Sequence, residues 1–226
     1  MKNNTRTAKL TILAVAAMML AGCAAQASAS PQKTIDLSGG SPAKEVRLGY
    51  FANVTHAPAL AGMQEGILKK DLGSTKLQTQ VFNAGPATIE ALSAGAIDAA
   101  YLGPNPAINS FIQSKGQSLR IVAGATTGGA QLVVAKDITD PKQLKGKTIA
   151  TPQLGNTQDV ALRTWLKGQG YQTSLSGGGD VNITPTDNAQ TLTLFQQGKV
   201  DGAWLPEPVR QRDFDLAAVL ANYDQR

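Results

Sequence analysis

Residues 89–99 read IEALSAGAIDA, and residues 191–202 read TLTLFQQGKVDG. Each stretch begins with a helical pattern, reaches a glycine, and then enters a strand that opens at an aspartate. Glycine often ends a helix because it adopts the left-handed backbone conformation at no steric cost. The same unit used twice predicts two similar lobes, with the change of lobe near residues 126–130.

Short runs typical of strands alternate with helical patterns along the rest of the chain. In the first half, strands are predicted at 46–50, 77–82, 99–102 and 119–123, and helices at 57–69, 86–94 and 106–115. In the second half, strands are predicted at 131–135, 147–150, 181–184 and 200–205, a helical turn at 140–144, and helices at 157–168 and 187–197. This alternation predicts the α/β class, with a mostly parallel sheet covered by helices on both faces.

The composition limits the function classes. Of the 226 residues, 42% are hydrophobic, which is enough for a core and excludes a disordered polar chain. The single Cys cannot form a disulfide within the chain, and one Cys with one His argues against a zinc site. A Ser-His-Asp or Cys-His enzyme would have to use His56, the only histidine. No cofactor is expected.

The first residues have the pattern of an export signal. Lys2, Arg6 and Lys9 precede an apolar stretch at residues 10–21, which is shorter than the ~20 residues that a membrane-spanning helix needs. The stretch ends in Leu-Ala-Gly-Cys, which is similar to a bacterial lipobox, so residues 1–23 are predicted to be a lipoprotein signal and Cys23 the lipid-modified first residue. An ordinary signal peptide with an incidental Cys is the alternative. Residues 24–44 are predicted to be a flexible tether.

The net charge of +5 belongs mostly to this signal. Three of the 21 basic residues precede residue 10, so the rest of the chain, with 16 acidic residues, has a formal charge of +2. No Lys/Arg cluster remains that could follow a phosphate backbone, and nucleic-acid binding is not expected.

Candidate site residues follow from the position of the strand ends. In open α/β sheets, ligands lie beyond the carboxyl ends of the strands and against helix N-termini, where free N–H groups favour an anion. At or just after the predicted strands, the sequence places mostly uncharged polar and small residues: Asn53, His56, Gly85, Pro86, Asn105, Thr126, Thr127, Gly155, Asn156, Thr157, Asp187, Trp204 and Glu207.

Several of these residues also have a purely structural interpretation. The asparagines are good turn and helix-cap residues, and Asp187 is most simply the N-cap of the following helix. Trp204 is as consistent with a core position as with a pocket wall. Glu207, between two prolines, is either a surface charge or a partner for an amine on the ligand.

Five motifs, in this order and spacing, resemble a known family. They are RLGY at 47–50 with Asn53, FNAGP at 82–86, AGAID at 94–98 leading to LGPNPA at 102–107, LKGKTIA at 144–150 followed by GNT at 155–157, and FQQGKVDGAWLPEP at 195–208. Together they resemble the substrate-binding proteins of ABC importers for sulfonates, taurine, nitrate and related small compounds. The resemblance implies a two-lobed, Venus-flytrap fold of the type II periplasmic binding proteins.

The resemblance further implies how the residues work. Residues 45–128 would form lobe I and residues 129–208 lobe II, with the ligand in the cleft. Asn53, Gly85, Pro86, Asn105, Thr126 and Thr127 would line the lobe I side, residues 155–157 would cradle an anionic group, and Trp204 and Glu207 would close the pocket. His56 and Asp187 are predicted to bind the ligand from their positions after the strands alone. The expected partners are a small ligand, a membrane permease with its cytoplasmic ATPase, and the membrane through a lipid anchor. The protein is expected to be an exported monomer, in the periplasm or at the outer face of the cytoplasmic membrane.

The length departs from the family pattern. Family members continue for roughly another hundred residues, which return the chain to lobe I, so the second lobe and that return are expected to be incomplete here. Residues 209–226 have no strand pattern and are predicted to be an atypical tail with a terminal helix at 214–222. A truncated reading frame, shifted near Val209, is the sharper hypothesis, and low stability is expected from it.

Three alternatives stay open at this point. One is an enzyme on the same two-lobed fold, such as a transferase or a protein that makes a pyrimidine precursor. Another is a binding protein for an amine or a pyrimidine precursor. The third is a structural or adhesive lipoprotein, against which the polar strand-end residues argue.

Overall fold

The computed structural model describes residues 41–207 and the backbone of residues 217–222. The export signal, Cys23, most of the tether and residues 208–216 lie outside the described residues, so what the sequence predicts for them stays a prediction. Within the described part of the chain, no helix is long and apolar enough to cross a membrane.

The first half of the chain forms a parallel three-stranded sheet. Its strands are β1 (Glu45–Phe51), β2 (Lys76–Phe82) and β3 (Ala99–Ala100), in the order β2-β1-β3. The helices are α1 (Ala57–Gln64), α2 (Ile67–Leu72), α3 (Gly85–Ser93) and α4 (Pro104–Gln113), and a 3-10 turn at Val54–His56 precedes α1. The helix predicted at 57–69 is two helices because Gly66, with φ of 70°, reverses the backbone between them.

The second half forms a mixed five-stranded sheet. Its strands are β4 (Ala130–Ala135), β5 (Thr148–Thr151), β6 (Asn182–Pro185), β7 (Gly202–Pro206) and β8 (Ala217–Asn222), in the order β6-β5-β7-β4-β8. β5 runs parallel to β6 and β7, whereas β4 is antiparallel to β7 and β8. The helices are α5 (Thr157–Gly168) and α6 (Asn188–Gln196), and a 3-10 turn at Pro141–Leu144 carries the capping box of Asp140 and Gln143.

The hydrophobic core lies around the second sheet. One cluster packs β4, β5, β6 and β7 against α5, and its buried members include Leu132, Leu162, Leu166 and Trp204. A second cluster, on the opposite face, joins Val133, Ala203 and Leu205 to partly buried side chains of α6. Side chains alternate between the two faces of a strand, which is why Trp204 belongs to one cluster and its neighbour Leu205 to the other.

The repeated helix–Gly–Asp–strand unit is present in both sheets. Gly95 follows α3 and Gly198 follows α6, and each has φ of 66°, the left-handed conformation expected of a helix stop. The aspartates that follow them each bind a neighbouring strand of their own sheet. The internal repeat in the sequence therefore corresponds to a repeated structural unit.

Two predicted elements are wrong. Residues 119–123 are not a strand: the described part of the first sheet gives them no partner, and Val122 is 95% exposed. The helix predicted at 214–222 is also wrong, because residues 217–222 are strand β8, which pairs with the free edge of β4. This pairing supplies hydrogen bonds to a β4 edge that would otherwise lack them, a long-range effect that local helical spacing does not reveal.

Candidate functional site

A cavity of about 790 Å³ lies between the connections of the two sheets. Its first-sheet wall comes from the residues that follow β1, β2 and β3, including Asn53, Asn83 and Gly103. Its second-sheet wall includes Pro152, which follows β5, and Pro206, which ends β7. The segment at residues 118–126, which is neither helix nor strand, completes the lining.

Four helices contribute their first residues to this lining: Gly85 of α3, Pro104 of α4, Thr157 of α5 and Asn188 of α6. The first amides of a helix have no carbonyl partner within that helix, and the helix dipole places partial positive charge there. α3 and α4 contribute fewer donors, because the prolines among their first residues have no N–H. The first amide of α6, that of Asn188, already donates to the Asn83 side chain. The cavity is therefore bordered by backbone donors and positive helix ends.

His56 lies at the start of α1 and is 94% buried, with its ring 4.2 Å from the ring of Phe51. Its Nδ1 accepts a hydrogen bond from the Phe51 amide at 3.1 Å, which places the ring proton on Nε2. Burial lowers the pKa of His56 to about 4, so the ring is neutral near pH 7. Since His56 lines the cavity, it is a neutral donor rather than a cation there.

The turn at residues 155–157 is held by a buried carboxylate. Asn156 caps α5 by accepting from the Asp159 amide at 2.8 Å, and Asp159, which is 1% exposed, accepts from the Gly155 amide at 2.9 Å. Asp159 also receives two hydrogen bonds from the Arg163 guanidinium, at 3.0 and 3.1 Å. The Gly155 amide is thus already bonded, and the Asn156 amide donates to the Gln153 carbonyl at 3.1 Å, so neither amide is left for a cavity ligand.

Thr157 is the residue of this turn that faces the other half of the chain. A Cβ placed on Gly103 would collide with the Thr157 Oγ1, so the glycine allows the two connections to approach closely. The Thr157 Oγ1 is buried and has no hydrogen-bond partner among the described residues. A buried hydroxyl on a cavity wall without a partner is a suitable contact for a polar ligand.

The charged side chains on the lining are Asp98 and Arg120. Asp98 is paired with Arg47 at 2.6 Å, and the hydrogen bond from the Arg47 side chain holds the pKa of Asp98 at about 2. The Arg120 guanidinium donates to the carbonyls of Gly116 and Leu119 at 2.6 and 2.8 Å. Within residues 41–207, no group of three or more His, Cys, Asp or Glu residues is placed to hold a metal ion.

The structure places the thirteen predicted site residues in two groups. Those on the cavity lining are Asn53, His56, Gly85, Thr126, Asn156 and Thr157. Those away from the lining are Pro86, Asn105, Thr127, Gly155, Asp187, Trp204 and Glu207. A ligand-binding role for any of the thirteen stays a prediction.

Three residues of the second group have clear structural positions. Trp204 is buried in the core cluster against α5, which is the core alternative considered from the sequence. Asp187 occupies the N-cap position of α6, but its side chain makes no capping hydrogen bond. The Glu207 backbone ties the two halves of the chain: its carbonyl accepts from Val54 at 2.8 Å, and its amide donates to Gly129 at 2.9 Å.

The lining also includes Asn83 and Gly103, which are not among the thirteen predicted site residues. Asn83 directly follows β2, and Gly103 follows the strand predicted at 99–102, so the same strand-end rule indicates both. The sequence does not predict what these two residues contact, because their partners across the cavity are far away in the sequence.

A cavity between two α/β sheets, bordered by strand ends and helix N-termini, is typical of proteins that bind small molecules. The chain belongs to the NMT1-like family, whose model matches residues 39–217. This assignment agrees with the fold.

Several known proteins are similar to this chain. A Brucella abortus protein, named only as a binding protein, is 30% identical over 166 residues, which are 71% of this chain and 48% of that protein. The taurine-binding periplasmic protein of Escherichia coli is 27% identical over 166 residues, which are 74% of this chain and 50% of that protein. The alkanesulfonate-binding protein SsuA from Xanthomonas axonopodis pv. citri, solved with bound MOPS, is 25% identical with a TM-score of 0.62, and the match covers 81% of this chain and 62% of that one.

The resemblance expected from the sequence motifs is confirmed, and so is the α/β fold of the two-lobed periplasmic binding proteins. The family and these neighbours are binding proteins rather than enzymes. The chain spans about half the length of the curated relatives that it matches.

Proposed function

We propose that this chain is the solute-binding component of an ABC importer and acts without catalysing a reaction. It captures a small anionic compound, sulfonate-like or nitrate-like, in the cavity and delivers it to a membrane permease driven by a cytoplasmic ATPase. The observation that carries the proposal is the convergence of four helix N-termini on one cavity. The names of the similar proteins, which include taurine-binding and alkanesulfonate-binding proteins, support the same ligand class.

The charges on the lining are consistent with this ligand class. Asp98 is neutralised by Arg47, and two side-chain donors on the lining, the His56 ring and the Thr157 hydroxyl, are uncharged. A sulfonate or nitrate is permanently charged, so it needs hydrogen-bond donors for its oxygens but no proton transfer. Neutral donors and helix N-termini can therefore bind it. The His56 Nδ1 is occupied by the Phe51 amide, which argues against a role as a general base.

The remaining parts of the proposal concern the whole protein. Residues 45–128 and 129–208 act as two lobes that close over the ligand, and closure is a hinge motion driven by contacts that exist only in the shut state. The lipobox at residues 20–23 supports export and attachment through a lipid on Cys23, at the outer face of the cytoplasmic membrane or in the periplasm. The protein acts as a monomer.

The ligand class is tested by titration calorimetry and thermal shift with matched small compounds. Taurine, methanesulfonate and nitrate are compared with methanesulfonamide, a neutral compound of nearly the same shape as methanesulfonate. We expect at least one anion to bind and raise the melting temperature, and the sulfonamide to have no effect. If none of the compounds shifts the melting temperature, the proposed function is wrong for this chain.

A variant pair then locates the site. Thr157→Val removes the unpartnered hydroxyl while nearly keeping the side-chain shape, and we expect it to weaken anion binding about tenfold. Thr164→Val makes the same chemical change at an exposed position of α5 and should leave the affinity unchanged. Equal affinities for both variants would place the ligand away from the start of α5.

A further inference from the structure

Asn83 connects the two halves of the chain through its side chain. It directly follows β2 of the first sheet, and its Nδ2 donates to the Pro152 carbonyl, which follows β5, at 3.0 Å. Its Oδ1 accepts from the Asn188 amide, the first of α6, at 3.3 Å. One side chain of the first half therefore contacts two separate connections of the second half.

These two bonds differ from the backbone contact between the halves. Two side-chain hydrogen bonds that join residues 45–128 to residues 129–207 are made by Asn83. A backbone bond also runs from Val54 to Glu207, whose own amide is bonded to Gly129, near the point where the chain passes between the sheets. The Asn83 bonds can therefore break without disturbing the backbone connection.

The chemistry of the contact requires a carboxamide. The Pro152 partner is a carbonyl and needs a donor, whereas the Asn188 partner is an N–H and needs an acceptor. The Asn188 amide is also one of the helix-start amides that have no partner within their own helix. Asn83, Pro152 and Asn188 all line the cavity, so the contact forms at the edge of the candidate ligand site.

We propose that Asn83 is a latch that holds the cavity shut by bonding simultaneously to the Pro152 carbonyl and the Asn188 amide. The biological role of this latch rests on the proposed function, because the latch acts on its ligand site. Asn83 is a positioning residue: it acts by closing the cavity and not by touching the ligand. The apparent affinity of a site falls in proportion to the population of its binding-competent state. Loss of the latch should therefore open the cavity without ligand and weaken ligand binding in the same proportion.

The test measures closure directly, on the full chain and without ligand. Cys23→Ser removes the single native thiol, and Lys69→Cys and Lys145→Cys place spin labels at exposed positions of the two halves. Double electron–electron resonance then gives the distribution of distances between the two spin labels. The measured quantity is the ratio of the closed population, at short distances, to the open population, at long distances. Asn83→Leu removes both bonds, and we expect that ratio to fall about tenfold; Asn109→Ala, at an exposed site on α4, should leave it unchanged.

A second pair of variants isolates one bond. Asn188→Pro and Asn188→Ala both remove the side chain, but only proline removes the N–H that Asn83 accepts. Proline suits this position, because Asn188 is the first residue of α6 and Asp187 before it has φ −56° and ψ 137°. We expect Asn188→Pro to lower the ratio about threefold relative to Asn188→Ala. Equal distance distributions in these two variants would overturn the latch.

The outcomes for latch and function are separable. If Asn83→Leu changes the distances but no anion binds the parent chain, the latch stands and the proposed function fails. If methanesulfonate binds the parent and the Asn83→Leu distances equal those of the parent, the function stands and the latch is wrong. Should circular dichroism show that Asn83→Leu is unfolded, Asn83→Asp decides, because it keeps the acceptor, loses the donor and must still open the cavity.

Discussion

The two sheets contain the same aspartate contact between strands but differ in how much apolar surface covers their faces. In the first sheet, the Asp98 carboxylate accepts from the Arg47 backbone amide at 2.9 Å; in the second, the Asp201 carboxylate accepts from the Thr148 backbone amide at 2.8 Å. Each aspartate also pairs with a basic side chain, Arg47 at 2.6 Å or Lys147 at 3.1 Å. The same local unit thus joins each strand to its neighbour in both halves.

Burial does not follow the same repeat. The two core clusters of the described residues both lie on the second sheet. The first half exposes apolar side chains instead, including Ile108, Phe111 and Ile112 on α4 and Ile121 and Val122 beyond it. Strand order can therefore be set by short-range polar contacts, while stability depends on apolar area, which the second sheet supplies.

The largest expected effect tests this difference in burial. Leu162→Ala empties a fully buried position of α5, and we expect it to lower the free energy of unfolding by about 3 kcal/mol. Ile112→Ala removes a side chain that is 67% exposed on α4, and we expect a change below about 0.5 kcal/mol. Urea unfolding followed by circular dichroism measures both.

A large loss in Ile112→Ala would break the comparison. It would mean that the apolar face of α4 is covered in solution, and that the two halves are more alike in burial than the described residues indicate. The Leu162→Ala value serves as the internal scale for that judgement.

The next effect compares glycines at equivalent depth in the two sheets. A Cβ on Gly202 of β7 would lie 2.5 Å from the Val133 carbonyl oxygen, a backbone atom of the adjacent strand. A Cβ on Gly49 of β1 would instead meet the ends of two side chains, Ile97 at 2.9 Å and Phe82 at 3.0 Å. We expect Gly202→Ala to cost about 2–3 kcal/mol and Gly49→Ala less than about 1 kcal/mol, because side-chain ends move more easily than a paired strand.

Thermal and urea unfolding of the two alanine variants provide the measurement. Equal losses would show that the first sheet is packed as rigidly as the second. That result would contradict the view that polar contacts, rather than tight packing, hold the first sheet together.

A smaller effect concerns pH and the only histidine. Burial lowers the pKa of His56 to about 4 from an ordinary 6.5, so the unfolded chain binds the extra proton first as the pH falls. The contribution of neutral His56 to the free energy of unfolding should be fully present above about pH 6.5. That free energy should decrease by about 1–2 kcal/mol between pH 7 and pH 5. Urea unfolding at both pH values measures this, with His56→Asn as the control, since its amide oxygen can still accept from the Phe51 amide. A dependence of equal size in His56→Asn would assign the effect to other groups.

Local signals explain which parts of the fold the sequence predicts well. The helix at 157–168 has its predicted bounds because Asn156 caps it and Leu162 and Leu166 lie one turn apart on the buried face. Strand β8 and the absence of a strand at 119–123 depend instead on whether a distant edge is available for pairing. No pattern within a short window contains that information.

The residues of the candidate site also fall into those that local patterns predict and those that depend on distant contacts. The strand-end rule locates Asn53, His56 and Thr157 at the cavity, because it follows from the direction of parallel strands. It does not say which face a strand-end side chain takes, and Trp204 therefore lies in the core. The rule places Asn83 at this edge but not its bonding role, because its partners are backbone atoms 69 and 105 residues further along the chain.

The smallest expected effect tests the polar connection of the first sheet on its own. The hydrogen bond from the Arg47 side chain holds the pKa of Asp98 at about 2, below its ordinary 3.8, so its contribution to stability is present above about pH 4 and is lost as the pH falls toward 2. We expect Arg47→Met to move the pKa of Asp98 back toward 3.8, as measured by carboxyl ¹³C chemical shifts in an NMR titration. Lys147→Met, the corresponding change in the second sheet, should leave the pKa of Asp98 where it is, because Lys147 pairs with Asp201. An Asp98 that titrates near 3.8 in the parent chain would mean that the Arg47 contact does not persist in solution, and that the first sheet is held by its backbone pairing alone.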